Sequence, residues 1–103
     1  MNRGDVVWGQ VPGGKRRPYL VLTRDVGIPL MTRILVAPAT TRARGILSEV
    51  ALTPEDGMPE ECVLSLDNVR PIKKSWTDET ICSLSPRKLD EVCAALGFAA
   101  GCS

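Results

Sequence analysis

For most of its length the chain groups its apolar residues in short runs, some alternating with a period of two and others nearly continuous. Alternation and β-branching predict strands over residues 6–11, 19–24 and 33–39, with shorter ones over 48–52, 62–64, 69–73 and 81–83. The punctuation between them, V-P-G-G, D-V-G-I-P, A-R-G and P-E-D-G-M-P, is turn and loop chemistry. Short strands at such spacing predict a small barrel or sandwich. The period then changes. Ser85 is a good N-cap, Pro86 suits the first helical position, and Leu89, Val92, Cys93 and Leu96 follow at helical spacing. This one helix is expected to stop at Gly97 and to pack its stripe on the strands as a lid, with F-A-A-G-C-S as a tail or a further turn.

With 103 residues the chain is expected to form a single domain, 1–103, around one modest core. That core is aliphatic, since Trp8, Tyr19, Trp76 and Phe98 are the only aromatic residues. No stretch approaches the ~20 apolar residues of a membrane helix, and M-N-R-G-D-V-V-W lacks the apolar core of a signal peptide, so a cytoplasmic protein without membrane contact is expected. Cys62, Cys82, Cys93 and Cys102 form no C-x-x-C pair and there is no histidine. Neither a zinc site nor a disulfide is expected, and no cofactor; the cysteines read as small hydrophobes.

A formal net charge of +1 conceals an asymmetry. Lys and Arg outnumber Asp and Glu by 8 to 3 over residues 1–52, whereas over 53–103 they are outnumbered 5 to 9. The first half is therefore a candidate face for a polyanion. Its cations gather in two places. In G-G-K-R-R-P-Y-L-V-L, residues 13–22, Lys15, Arg16 and Arg17 follow two permissive glycines, and Pro18 restrains Arg17 to an extended backbone. In V-A-P-A-T-T-R-A-R-G, residues 36–45, Thr40 and Thr41 end a strand and Arg42 and Arg44 follow. Solvated surface charge and turn-forming threonines explain either loop alone. Together they suit a phosphate backbone, because a guanidinium forks onto phosphate oxygens and hydroxyls bond them.

If the polyanion is RNA, these side chains can support cleavage. The RNA supplies its own 2′-OH as nucleophile, provided the protein positions it and stabilises the charge of the transition state. Arg17 would neutralise the phosphorane and Thr40 would orient the phosphate. Lys15, Arg16, Thr41, Arg42 and Arg44 are candidate RNA contacts. Arginine is a poor base, its pKa lying above ~12, so the group that accepts the 2′ proton is left open.

R-G-D-V-V-W at 3–8, R-R-P-Y-L-V-L at 16–22, I-L-V-A-P-A-T at 34–40 and D-N-V-R-P-I at 67–72 resemble, in order and over nearly the whole chain, the MazF/PemK family of toxin endoribonucleases. The resemblance implies an α+β, mainly β fold: an SH3-like antiparallel barrel of the CcdB/MazF type with a C-terminal helix. It implies a homodimer, metal-independent cleavage of single-stranded RNA at short sequences, and neutralisation by a cognate MazE-like antitoxin. By motif, Arg17 matches the family's catalytic arginine and Thr40 its catalytic threonine. Many members carry Ser-Glu-Gln ahead of the arginine; here the loop is the shorter G-Q-V-P-G-G-K, without a glutamate.

Trp8 and Trp76 are expected to be structural, Trp8 because it alternates with core positions and Trp76 as a cover at a strand end. Asp5 is expected to cap or orient the first strand. Two further functions fit the same fold: a CcdB-like toxin that binds a protein such as DNA gyrase without nuclease chemistry, and a plain RNA-binding module.

Overall fold

The β-branched runs do become strands. The computed structural model describes residues 1–101. Its elements are β1 (Asp5–Gly9), β2 (Arg17–Val21), β3 (Arg33–Thr40), β4 (Glu49–Leu52), β5 (Cys62–Ser65), β6 (Arg70–Lys73), β7 (Thr77–Ser83) and α1 (Pro86–Ala99), with short 3₁₀ turns between several of them. The strands form one antiparallel sheet in the order β4-β5-β3-β2-β1-β7, with β6 also paired to β3. No helix is long and apolar enough to cross a membrane.

β3 organises this sheet. One of its edges pairs with β2, as Tyr19↔Pro38, Leu20↔Ala37 and Val21↔Val36. Its other edge pairs first with β6, from Arg33↔Lys73 to Val36↔Arg70, and then with β5, as Ala39↔Leu64 and Thr40↔Val63. Both faces of the central strands are covered. Val6, Leu20 and Ala37 join Leu52, Leu64, Val92 and Ala95 in one core, while Val7, Tyr19, Val21, Ile34, Val36 and Ile72 form a second, which Ile28 closes. Burial on both faces explains why these segments read as nearly continuous apolar runs. Each fully buried Leu, Ile or Val contributes roughly 1.5–3 kcal/mol.

Three expectations need correction. β7 begins at Thr77, not at residue 81; its first half is polar and mostly exposed, and it is held as a strand by backbone pairing with β1. The helix does not stop at Gly97 but runs on to Ala99, and the left-handed glycine beyond it is Gly101, at φ 73°. An internal glycine costs only about 1 kcal/mol, and Leu96 and Ala99 on either side of it pack on the core. Finally, Cys93 is exposed, 3.7 Å from Arg3, and Ala95 takes the core position expected of it. Cys62 and Cys82 do pack on the core as small hydrophobes; Cys102 lies outside the described residues.

Asp5 orients the first strand as expected. Its buried carboxylate accepts the Asn2 N–H at 2.9 Å and the Ser83 hydroxyl at 2.6 Å, which fastens β1 to the end of β7. Ser85 Oγ caps α1 by accepting the Lys88 N–H.

Candidate nucleic-acid interface

The β2–β3 ladder ends at Tyr19↔Pro38, and the same register carried two residues further sets Arg17 across from Thr40. Residues two apart on a strand share a face, so the guanidinium and the hydroxyl emerge on one side of the sheet. Arg17 is held from the other edge of β2, where it pairs with Gly9 and Pro18 pairs with Trp8. The loop that delivers it is a closed turn: Gly14 N–H donates to Val11 O at 2.8 Å and the Gln10 amide donates to Gly14 O.

Two clefts meet at this pair. The larger, about 700 Å³, is lined by Lys15, Arg16, Arg17, Thr40, Thr41 and Arg42 together with Trp8, and also by Met58, Pro59, Glu60 and Cys62. The smaller, about 310 Å³, again has Arg17, Thr40 and Arg42 in its wall, and adds Arg44, Glu49, Ser65, Asn68 and Arg70. Every side chain singled out in the two cationic loops thus lines one cleft or the other, and three line both.

The loop after β3 is shaped by its own polar groups. Thr40 Oγ1 accepts the Arg42 N–H at 3.2 Å, so Thr40 is a turn former, and its hydroxyl still has a hydrogen to donate. The Glu49 carboxylate, almost buried, accepts the N–H groups of Arg44 and Gly45, each at 2.9 Å, with the Arg44 side chain 3.9 Å away.

Arg16 differs from its neighbours. Its guanidinium lies 4.5 Å from the centroid of the Trp8 ring, and its Nη2 is 3.0 Å from Asp78 Oδ1. The Glu79 N–H, and then the Arg16 guanidinium, hold the Asp78 carboxyl below the usual aspartate range. Trp8, expected to be structural because it alternates with core positions, stands half-buried in the wall of the cleft. Asp78, Glu49 and Glu60 were not foreseen as site residues. Asp78 and Glu60 come from parts of the sequence far from the cationic loops, whereas Glu49 lies only four residues beyond Gly45.

Cys62 reaches the larger cleft as a neutral thiol. Burial first, then the nearby Glu60, Cys82 and Asp56, push its pKa up, and burial does the same for Cys82. Among the described residues no three His, Cys, Asp or Glu side chains converge as a metal ion would require.

Residues 2–99 match the model of a family described as PemK-like, MazF-like toxin of type II toxin–antitoxin system. The chain is 38% identical, over 102 residues, to the probable endoribonuclease MazF5 of Mycobacterium tuberculosis (strain ATCC 25618 / H37Rv), covering 98% of this chain and 94% of that protein. The M. tuberculosis toxin MazF-mt6 superposes with a TM-score of 0.88 at 31% identity, over 96% of this chain and 98% of that one. A chain of the MazE–MazF complex (Form-II) from Deinococcus radiodurans does so with a TM-score of 0.81 at 30% identity, over 100% and 97%. Motifs, strand order and these likenesses agree: the chain belongs to the PemK-like, MazF-like toxins of type II toxin–antitoxin systems.

Proposed function

We propose that this toxin is an endoribonuclease that cuts single-stranded RNA, with Arg17 and Thr40 as its catalytic pair. The observation that carries the proposal is that these two side chains stand together where both cationic clefts meet. Relatives of similar length bear the name endoribonuclease, which agrees with it.

The 2′-oxygen attacks the adjacent phosphorus and the bond to the 5′-oxygen breaks, leaving a 2′,3′-cyclic phosphate and a 5′-hydroxyl. Arg17 forks onto the non-bridging oxygens and stabilises the phosphorane, as a donor placed where charge develops should. Thr40 donates its hydroxyl hydrogen to the same phosphate. Of the two carboxylates in the clefts, Glu49 is occupied by backbone N–H groups, whereas no hydrogen bond or ion pair among the described residues engages Glu60. Glu60 takes the 2′ proton, and the leaving 5′-oxygen takes one from solvent or from Arg17. Lys15, Arg16, Thr41, Arg42 and Arg44 bind the flanking strand.

Residues 1–103 act as one cytoplasmic unit, paired as a homodimer and neutralised by a MazE-like antitoxin. The complex from D. radiodurans supports the last point. Incubation with a long single-stranded RNA in excess EDTA tests the activity. Discrete fragments ending in a cyclic phosphate are expected. RNA that is shifted but intact would indicate a binding module, and RNA that is neither cut nor shifted would point to a protein target instead.

A further inference from the structure

Trp8, Arg16 and Asp78 form a layered unit on the rim of the larger cleft, and no step of cleavage uses it as such. The guanidinium lies over the indole at 4.5 Å and is tied at its edge to Asp78 at 3.0 Å. An irregularity in the sheet permits this. Val7 pairs with Thr80 and Gly9 with Thr77, so Trp8 alone faces both Asp78 and Glu79. The extra residue makes a bulge in β7, and bulges re-aim side chains. Here the side chain re-aimed is a carboxylate, brought within reach of Arg16.

An arginine paired in this way is poorly used as one more phosphate ligand, since part of its charge is already compensated and its plane is fixed. It is well used as a platform. The Arg16 side chain is 46% exposed and lines the cleft beside Arg17 and Thr40, with the indole behind it. Unpaired bases stack on guanidinium planes and on aromatic rings.

We propose that Arg16, backed by Trp8 and oriented by Asp78, is a stacking subsite for one unpaired nucleobase next to the scissile phosphate, and that it sets part of the sequence preference. Asp78 acts as a positioning residue. The proposal rests on the reading of this cleft as an RNA site, and it adds a base contact to what was otherwise a phosphate groove.

Mapping fragment ends gives the cleaved sequence. A short RNA carrying that sequence is then made with an abasic nucleotide at each position in turn, and kcat/KM is measured for the wild type, Arg16→Gln and Asp78→Asn. In the wild type, one abasic position beside the cut should lose on the order of 10- to 100-fold. That loss should vanish in Arg16→Gln and shrink in Asp78→Asn, both of which change exposed side chains. If Arg16→Gln instead slows the parent and every abasic RNA by one common factor, and flattens the salt dependence by about one phosphate, the subsite is refuted while cleavage stands. If the wild type cuts no RNA, the cleavage reading fails and the subsite is judged by binding. With Trp76→Phe leaving Trp8 as sole indole, quenching by a mixed-sequence 2′-O-methyl strand supports the subsite, and undiminished fluorescence refutes it.

Discussion

The carboxylate of Glu49 accepts the backbone N–H of Arg44 at 2.9 Å, so a nearly buried acid in β4 fixes the shape of a loop whose side chains are cationic. The acid is there for geometry, and its negative charge works against the polyanion. Glu49→Ala therefore makes the clefts more positive and yet should weaken RNA binding several-fold, because Arg42 and Arg44 lose their common frame. The salt slope should stay as it was, since no phosphate contact is deleted. Thermal unfolding should report a loss of about 2 kcal/mol from the broken charge-assisted hydrogen bonds.

Arg17→Ala should slow cleavage by about 10²–10³ while leaving stability within about 0.5 kcal/mol, because the transition state loses a donor and the fold loses only a half-exposed side chain. Paired rate and melting measurements check this. An equal fall in both would assign Arg17 to folding.

Arg42→Ala touches both clefts and should weaken binding while reducing the slope of log affinity against log salt by about one. Arg44 lines only the smaller cleft and lies near Glu49, so the same change there should have the lesser effect. Titrations at three salt concentrations distinguish the two.

Glu60→Gln removes the proposed proton acceptor and keeps its size. In the variant the rate of the cleavage step should fall by roughly 10²–10⁴. A single-turnover rate unchanged by the substitution would reassign the base.

Thiol labelling reads the burial pattern directly. Iodoacetamide reacts with thiolate, and burial favours the neutral thiol of Cys62 and Cys82, raising both above the usual 9.0. At pH 8 the exposed Cys93 should be alkylated well before either, and the labelling of Cys62 and Cys82 should accelerate only as the pH climbs past 9. Peptide mass mapping over a time course follows each site.

Some of this was legible in the sequence and some was not, for physical reasons. The V-V, Y-L-V and I-L-V runs announced β1, β2 and β3 because β-branched and aliphatic residues suit strands covered on both faces. Arg17 stood out because Pro18 restrains it, and Thr40 because it ends a strand of apolar residues. Thr77 to Thr80 gave no signal, as an exposed edge strand is specified by the backbone groups of its neighbour and not by its own side chains. Gly97 gave a false stop, since glycine ends helices often but is tolerated inside one whose flanking residues are buried. Glu60 and Asp78 come near the cationic loops only through the packing of distant segments, and nothing in the residues around Glu49 told that its carboxylate would turn back on the Arg44 and Gly45 N–H groups. The charge tally had set the acidic half of the chain apart from the cationic face, whereas folding interleaves the two.

The order in which β1 finds its partners bears on how the toxin comes to be made. β2 follows it at once, but β7 is the last strand of the sequence, and Asp5 cannot meet Ser83 until that strand exists. A domain generally folds as a unit once its chain has emerged. Until β7 pairs, the edge of β1 stays bare and the bulge that carries Asp78 is unmade, so Arg16 has no carboxylate to hold it beside the larger cleft.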